Sequence, residues 1–538
     1  MIIKKFVIPF LTLAGLAFAI YAGTMNYPFL FDDDRLIREG NDLQKTSSLI
    51  DNFFVAGRAF EKKTNAGFYR PVLYDSYTLD CLRSGPVPGS FRLTNILIHI
   101  LNSFLIYLLF MALFGQGRGA GASAFLASAL FCLHPLQSEP VIFITARSVS
   151  LLTFFCLTSL LLYIRFKRTG SKTSLAASFL FYALGLFTKE TAAPFSFVYL
   201  LYDYSEKKKR PKKYLYSTPF IGASVSFTLF RMWYLAFSSP INKSLGFMTH
   251  WLTEVTVIPR YLLLVVFPFG LSADHGVKDI ETFSDPYFIA GLALTCIFFL
   301  ILTYALRRRS PNAMLLLWPV LAMLPEMVFP LNDAMVEYRM YLPMAAISLL
   351  AAAMFRNLLE RMGARRLGKV SIAGASLVLV IFGTASYERG KVWANPITLW
   401  SDANKKAPGF VRPYMGLGIA LAEKREFAQA KAYFEKAATL DPDDEGAYIS
   451  LGNVNAELGN KEKAIDMEET AIRMNSKSYM AYQNLAMIYL NYGDYEGAFN
   501  TFRRMANALP ERHAIIQSGA QYLLDYGQVD LAAKLLQE

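Results

Sequence analysis

Phe31-Asp32-Asp33-Asp34 places three carboxylates a few residues beyond an apolar run, 6–25, that is long enough to cross a bilayer. Low dielectric disfavours ionised acids, so a cluster of them at a membrane face implies use. The chemistry that suits such a cluster is transfer of a sugar to a hydroxyl, where a carboxylate accepts the hydroxyl proton as the new bond forms. Asp32 and Asp33 are the candidate bases. Asp34 reads as a solvated neighbour.

Further charged and polar groups recur at the ends of apolar runs. Arg70 follows Tyr69 and precedes Pro71, and Lys189-Glu190 forms a charged hairpin. His134-Pro135 leads to Glu139 and then Arg147, and Glu337-Tyr338-Arg339-Met340-Tyr341-Leu342-Pro343 opens another run. Arg70, Arg147, Lys189 and Arg339 are candidates to neutralise a leaving phosphate, arginine through its planar two-bond fork. Lys189 and Glu190 also suit a simple buried ion pair. Arg92, Asn95, His99 and Asn102 share one face of a helix at i, i+3, i+7 and i+10. Such a stripe serves either interhelical hydrogen bonding or a wet cavity. Asn95, His99, His134, Glu139, Glu190, Glu337 and Tyr341 are the candidates to line that cavity.

The elements that must position these groups are transmembrane helices. The chain has 538 residues, of which 54% are hydrophobic and 18% charged, with a mean hydropathy of +0.30. That composition fits a many-spanning membrane protein. The net charge of +12 comes from loops, as the positive-inside rule requires, and no aromatic-basic interleaving points to nucleic acid. Four scattered cysteines give no disulfide framework and no zinc spacing, and no metal or other cofactor is expected. Eleven spans are read: 6–25, 91–114, 121–138, 141–164, 173–188, 190–204, 214–236, 286–306, 312–330, 338–355 and 369–387. The basic loops 165–172, 207–213, 307–309 and 356–369 then share the N-terminal, cytoplasmic side. Keeping that parity makes 251–269, interrupted by Pro259, Arg260 and Pro268, a re-entrant or interfacial element. The carboxylates fall in a first outer loop, 26–90, where 49–60 carries the spacing of a surface-lying amphipathic helix.

After a linker at 391–411, residues 412–538 repeat. Tyr414, Tyr448 and Tyr482, Leu417, Leu451 and Leu485, and Ala430, Ala464 and Ala498 recur every 34 residues, the tetratricopeptide (TPR) period. About three and a half to four such repeats stack into a superhelix whose concave face suits an extended peptide. Glu468 stands where a large apolar residue is usual.

The order Phe31-Asp32-Asp33, Tyr69-Arg70-Pro71, Asn95 and His99, His134-Pro135 with Glu139 and Arg147, Lys189-Glu190 and Glu337 to Pro343, followed by TPRs, resembles the transmembrane-and-TPR O-mannosyltransferases and their bacterial relatives. Gln137-Ser138 departs from the family's His-Thr. The resemblance implies an all-α, polytopic GT-C-type bundle over 1–390 and an inverting hexosyltransferase. Its donor would be a polyprenyl-phosphate-linked sugar, mannose foremost, and its acceptor a protein Ser or Thr held by the TPRs. It also implies a bacterial inner-membrane location, with a cytoplasmic N-terminus, surrounding membrane lipids and periplasmic repeats. Two other readings remain at this point: a non-catalytic membrane-anchored TPR scaffold, and a glycan ligase or polymerase using a lipid pyrophosphate.

Overall fold

The computed structural model describes the chain except for residues 1–2, 38–42, 44, 55–68, 116–118, 207–213, 235–245, 330–332 and 363–364, and it describes residues 3–4, 34–35, 234, 362 and 365–369 by backbone alone. The expected surface positions Gly57 and Phe60 and the basic loop 207–213 therefore lie outside the described residues, as does the Asp34 side chain. The described residues are all-helical or irregular, without strands. They form two compact units, Met1–Asn395 and Pro396–Glu538.

The first unit opens with α1 (Ile8–Tyr21), the short α2 (Asp32–Ile37) and α3 (Ser48–Phe54). Next come α4 (Pro71–Ser84), α5 (Pro88–Phe114), α6 (Ala120–Leu133), α7 (Ser138–Ile142), α8 (Arg147–Thr169) and α9 (Lys172–Leu186). The remainder is α10 (Ser196–Ser205), α11 (Thr218–Tyr234), α12 (Phe247–Val266), α13 (Pro286–Arg307), α14 (Pro311–Val328), α15 (Tyr341–Met362) and α16 (Arg365–Val392). Local sequence sets many of the starts. Pro71, Pro88, Pro286 and Pro311 each stand in the first turn, where a missing N–H costs nothing. Asp285 caps α13 by accepting from the Tyr287 and Phe288 amides at 2.8 and 3.1 Å.

Among the described residues, seven helices are long and apolar enough to cross a membrane, or eight when α6 and the Pro135–Ile142 segment, bent by 55°, count as one span. This corrects the eleven read from sequence. The other three elements are helical but short: α9 has 15 residues, α10 has 10 and α11 has 17. At 1.5 Å per residue even the longest rises about 25 Å, less than a hydrocarbon core of about 30 Å. Within the stretch expected as re-entrant or interfacial, 251–269, α12 is one continuous helix of 20 residues that includes Pro259. It crosses α13 so closely that a Cβ on Gly291 would lie 2.2 Å from the Val255 carbonyl oxygen. The core of this unit is aliphatic and aromatic, with Phe131, Tyr163, Tyr199, Trp318 and Tyr341 fully buried.

The second unit begins with α17 (Pro396–Lys406), which lies inside the stretch expected as linker. Four helix pairs follow: α18 (Val411–Glu423) with α19 (Phe427–Leu440), α20 (Glu445–Glu457) with α21 (Lys461–Met474), α22 (Tyr479–Asn491) with α23 (Tyr495–Ala508), and α24 (Arg512–Asp525) with α25 (Val529–Leu536). The repeated small residue lets the helices of a pair approach: Gly418 lies under the ring of Phe434 and Gly519 under Phe502. Gly452 lies under Glu468, so this carboxyl occupies the seat of an aromatic ring and is fully buried.

Candidate functional site

The two leading aspartates part ways. Phe31, just ahead of them, takes a left-handed backbone (φ 51°), unusual for a bulky residue, and its ring packs edge-on against Phe143 and Trp393. From that turn, Asp32 opens α2 with its side chain exposed, whereas Asp33 is fully buried. Asp33 Oδ1 accepts from the Thr145 amide at 2.8 Å and the Thr145 hydroxyl at 2.6 Å, and Oδ2 faces the Leu30 and Ile144 amides at 3.4 Å. Burial pushes the Asp33 carboxyl up to about 6, with the Thr145 hydrogen bonds and the Arg92 charge pulling it partly back. Asp33 pins the residues after Phe31 onto the turn before α8, and Asp32 is the exposed carboxylate of the pair.

Helix α4 carries this anchor toward the cations. Tyr77 donates to the Ile144 carbonyl at 3.3 Å, next to the Asp33 clamp. Arg70 caps the same helix seven residues earlier, about 10 Å along the axis. Arg70 binds Glu190 with two hydrogen bonds, Nη2 to Oε1 at 2.6 Å and Nε to Oε2 at 3.1 Å, and Arg231 adds a third contact to Glu190 Oε2 at 3.1 Å. Lys189, the next residue back, instead reaches Glu326 Oε1 at 3.0 Å and lies over the Tyr338 ring. Glu326 Oε2 pairs with Arg339 Nε at 2.9 Å. The arginine's other nitrogens donate to the Ala334 and Asp333 carbonyls. Glu139 Oε2 accepts from the Tyr338 amide at 2.8 Å, which ties the turn holding Arg339 to the α7 segment. Asp33, Arg70, Lys189, Glu190, Glu139 and Arg339 are thus joined through contacts at one end of the bundle.

Other expected members do structural work. Arg147 is corrected as a phosphate ligand because no part of it reaches the surface. Nε goes to Asn95 Oδ1 at 2.7 Å, Nη1 to Ser76, and Nη2 to the Phe91 carbonyl and to Asp80 at 2.6 Å. The guanidinium also stacks over Tyr77 and is fully buried. The polar cavity expected around His99 is a closed interhelical network. His99 Nε2 donates to the Cys132 carbonyl at 3.0 Å, and Nδ1 accepts from the Tyr341 hydroxyl at 2.8 Å, which in turn accepts from Asn102 at 3.2 Å. Asn95 donates to the Val141 carbonyl besides holding Arg147. His134 spans from the Leu136 amide to the Val265 carbonyl. Glu337 accepts from the Ser272 amide at 2.5 Å and from His275 at 3.1 Å. Among the described residues, no three His, Cys, Asp or Glu side chains converge as metal ligands would.

Residues 85–234 match the family model for dolichyl-phosphate-mannose-protein mannosyltransferase, and 411–444 match the tetratricopeptide repeat model. The human protein O-mannosyl-transferase TMTC3 is 23% identical over 94% of this chain and 61% of its own length. Its mouse counterpart is 24% identical over 93% and 60%, and the Drosophila protein 24% identical over 84% and 57%. The chain is similar to the TMTC protein O-mannosyl-transferases. It spans about three-fifths of the length of the curated relatives it matches. Among solved structures, an Archaeoglobus fulgidus oligosaccharyltransferase aligns at 14% identity with a TM-score of 0.39, over 79% of this chain and 58% of its own.

With its apolar helices and its match to a membrane-enzyme family model, the chain is a multi-pass membrane protein. Sequence reasoning about it missed Glu326 and Arg231, which complete the two ionic clusters. Both carried a signal. Glu326 is the single charge in 312–330, and Arg231 the single charge in 214–236. A lone ionisable residue in an apolar span marks a site by default.

Proposed function

We propose that this protein is an inverting GT-C-type glycosyltransferase that moves a sugar, mannose foremost, from a polyprenyl-phosphate carrier to a Ser or Thr hydroxyl of a protein. The observation that carries the reading is the exposed Asp32, set by its buried neighbour Asp33 at the end of the bundle that also gathers Arg70, Lys189 and Arg339. In this mechanism Asp32 accepts the proton of the acceptor hydroxyl. The hydroxyl oxygen attacks the anomeric carbon on the face opposite the phosphate, the bond to phosphate breaks, and configuration inverts. Lys189, Arg339 and Arg70 neutralise the phosphate that leaves. The mannosyltransferase names of the relatives support the sugar and the protein acceptor. The TPR unit would hold the acceptor chain outside the membrane, in the periplasm of a bacterium.

The test is transfer of labelled mannose from polyprenyl-phosphate mannose to protein by purified full-length protein in lipid. Mass spectrometry of extracytoplasmic proteins with and without the gene product should show hexose on Ser or Thr. Transfer should survive chelation of divalent metal. Full transfer by an Asp32→Asn variant would remove the base assignment.

A further inference from the structure

On α12, His250, Thr253, Glu254, Val257 and Tyr261 recur at i, i+3, i+4, i+7 and i+11 and face inward, each buried. The polar members of the stripe hold the stretch between α14 and α15. His250 Nε2 donates to the Met327 carbonyl at 2.9 Å. Tyr261 donates to the Val336 carbonyl at 2.8 Å and accepts from its amide at 3.0 Å. These two clamps grip Met327, next to Glu326, and Val336, three residues before Arg339. Thr253 accepts from the Ile280 amide at 2.9 Å.

Glu254 lies between the clamps on the same face, with Arg339 and Glu326 as its charged neighbours. Its side chain is buried, at 4% exposure. Yet no described residue gives its carboxyl a hydrogen bond or an ion pair, and its oxygens are not among the sealed polar atoms. The other buried acids at this end, Asp33, Asp80, Glu139 and Glu337, are all engaged. Arg339 does not serve Glu254, because its nitrogens go to Glu326, Ala334 and Asp333. A buried carboxyl without a partner is expensive. What it lacks is a hydrogen-bond donor. A hydroxyl, which can both give and accept a hydrogen bond, fits this carboxyl in either protonation state.

We propose that Glu254 seats a hydroxyl of the sugar carried on the lipid phosphate, beside the phosphate held at Lys189 and Arg339. This deepens the donor reading given above and rests on it. Glu254 then selects the sugar, whereas Lys189 and Arg339 bind the carrier irrespective of what it bears.

The experiment uses full-length protein in nanodiscs and two probes, polyprenyl phosphate and polyprenyl-phosphate mannose, with affinities taken from thermal shifts. Wild type should bind the mannosylated lipid at least tenfold tighter. Glu254→Ala should lose that preference while still binding polyprenyl phosphate, and Glu254→Gln, which keeps an acceptor oxygen, should retain part of it. A preference that survives in Glu254→Ala overturns the sugar seat and leaves the phosphate reading standing. A wild type that binds neither lipid overturns both. Should Glu254→Ala not fold, wild type decides: at least one monodeoxymannosyl lipid must bind about tenfold more weakly than the parent, and a series that binds uniformly overturns the proposal.

Discussion

Arg70 holds both oxygens of Glu190, at 2.6 and 3.1 Å, across 120 residues of sequence. The two-bond fork fixes the arginine plane at the N-terminal end of α4, a geometry that lysine cannot reproduce. Arg70→Lys keeps the charge and loses the fork. We expect the KM for the lipid donor to rise about tenfold, equivalent to about 1.4 kcal/mol, with the acceptor KM unchanged. Steady-state kinetics with each substrate varied in turn checks this.

Asp32 and Asp33 should separate in mutagenesis. Asp32→Asn should cut transfer by about 10²–10⁴-fold, the usual contribution of a general base, with the melting temperature unchanged. Asp33→Asn turns an amide NH₂ toward the Leu30 or Ile144 N–H that the carboxylate now faces. That leaves donors opposed and should cost about 1–3 kcal/mol of stability.

The raised Asp33 carboxyl makes a pH prediction with a definite sign. Its value in the fold, about 6, lies above the unfolded value of about 3.9. Between about pH 4 and pH 6 the native state therefore holds a proton that the unfolded chain has released. Stability falls as pH rises through that window and levels off above it, by on the order of 2–3 kcal/mol. Melting curves of wild type minus Asp33→Asn, taken from pH 4 to 7, isolate this contribution.

Arg147 should behave as a strut. Arg147→Gln leaves Asp80 with Arg83 at 2.9 Å and the Thr94 hydroxyl at 2.7 Å, but it removes the buried guanidinium held at 2.6 Å and leaves buried acceptors unmet, at a cost of about 1–3 kcal/mol. Expression and melting temperature should fall, while surviving protein keeps a wild-type donor KM. A selective rise in donor KM in folded protein would return Arg147 to the substrate site.

In the repeat unit, burial pushes the Glu468 carboxyl up to about 9, with Asn484 pulling it partly back. The group is neutral in the fold at pH 7 and ionised when unfolded. Stability of α21 should therefore decline as pH rises from about 4.5 toward 9. Glu468→Gln should flatten that decline, read by amide exchange across Lys461–Met474 in the full chain.

Much of this was written in the sequence. Each of the eleven apolar runs contains helix, and the 34-residue period gives the helix pairs α18 to α25. Hydropathy alone gives eleven runs, whereas length and composition together give seven or eight among the described residues, and Pro194 interrupts one of the remaining three. The cations were found as residue types, but their roles were not legible. Whether Arg147 faces a ligand or Asp80 depends on a partner 67 positions away, and only packing decides it. For the stripe carrying His99 and Asn102 the sequence left interhelical hydrogen bonding and a wet cavity both open, and the bonds to Tyr341 decide for the former.

Lys189 and Glu190 are joined by one peptide bond, yet each belongs to a different ionic group, one with Glu326 and Arg339, the other with Arg70 and Arg231. That single link works as a tie-rod. An anion that draws Lys189 off Glu326 acts one peptide bond from the carboxylate that holds Arg70 and Arg231. Penalties for altering Arg70 and Arg339 should then fail to add, and the shortfall would measure how tightly the two halves of the bundle's end move as one.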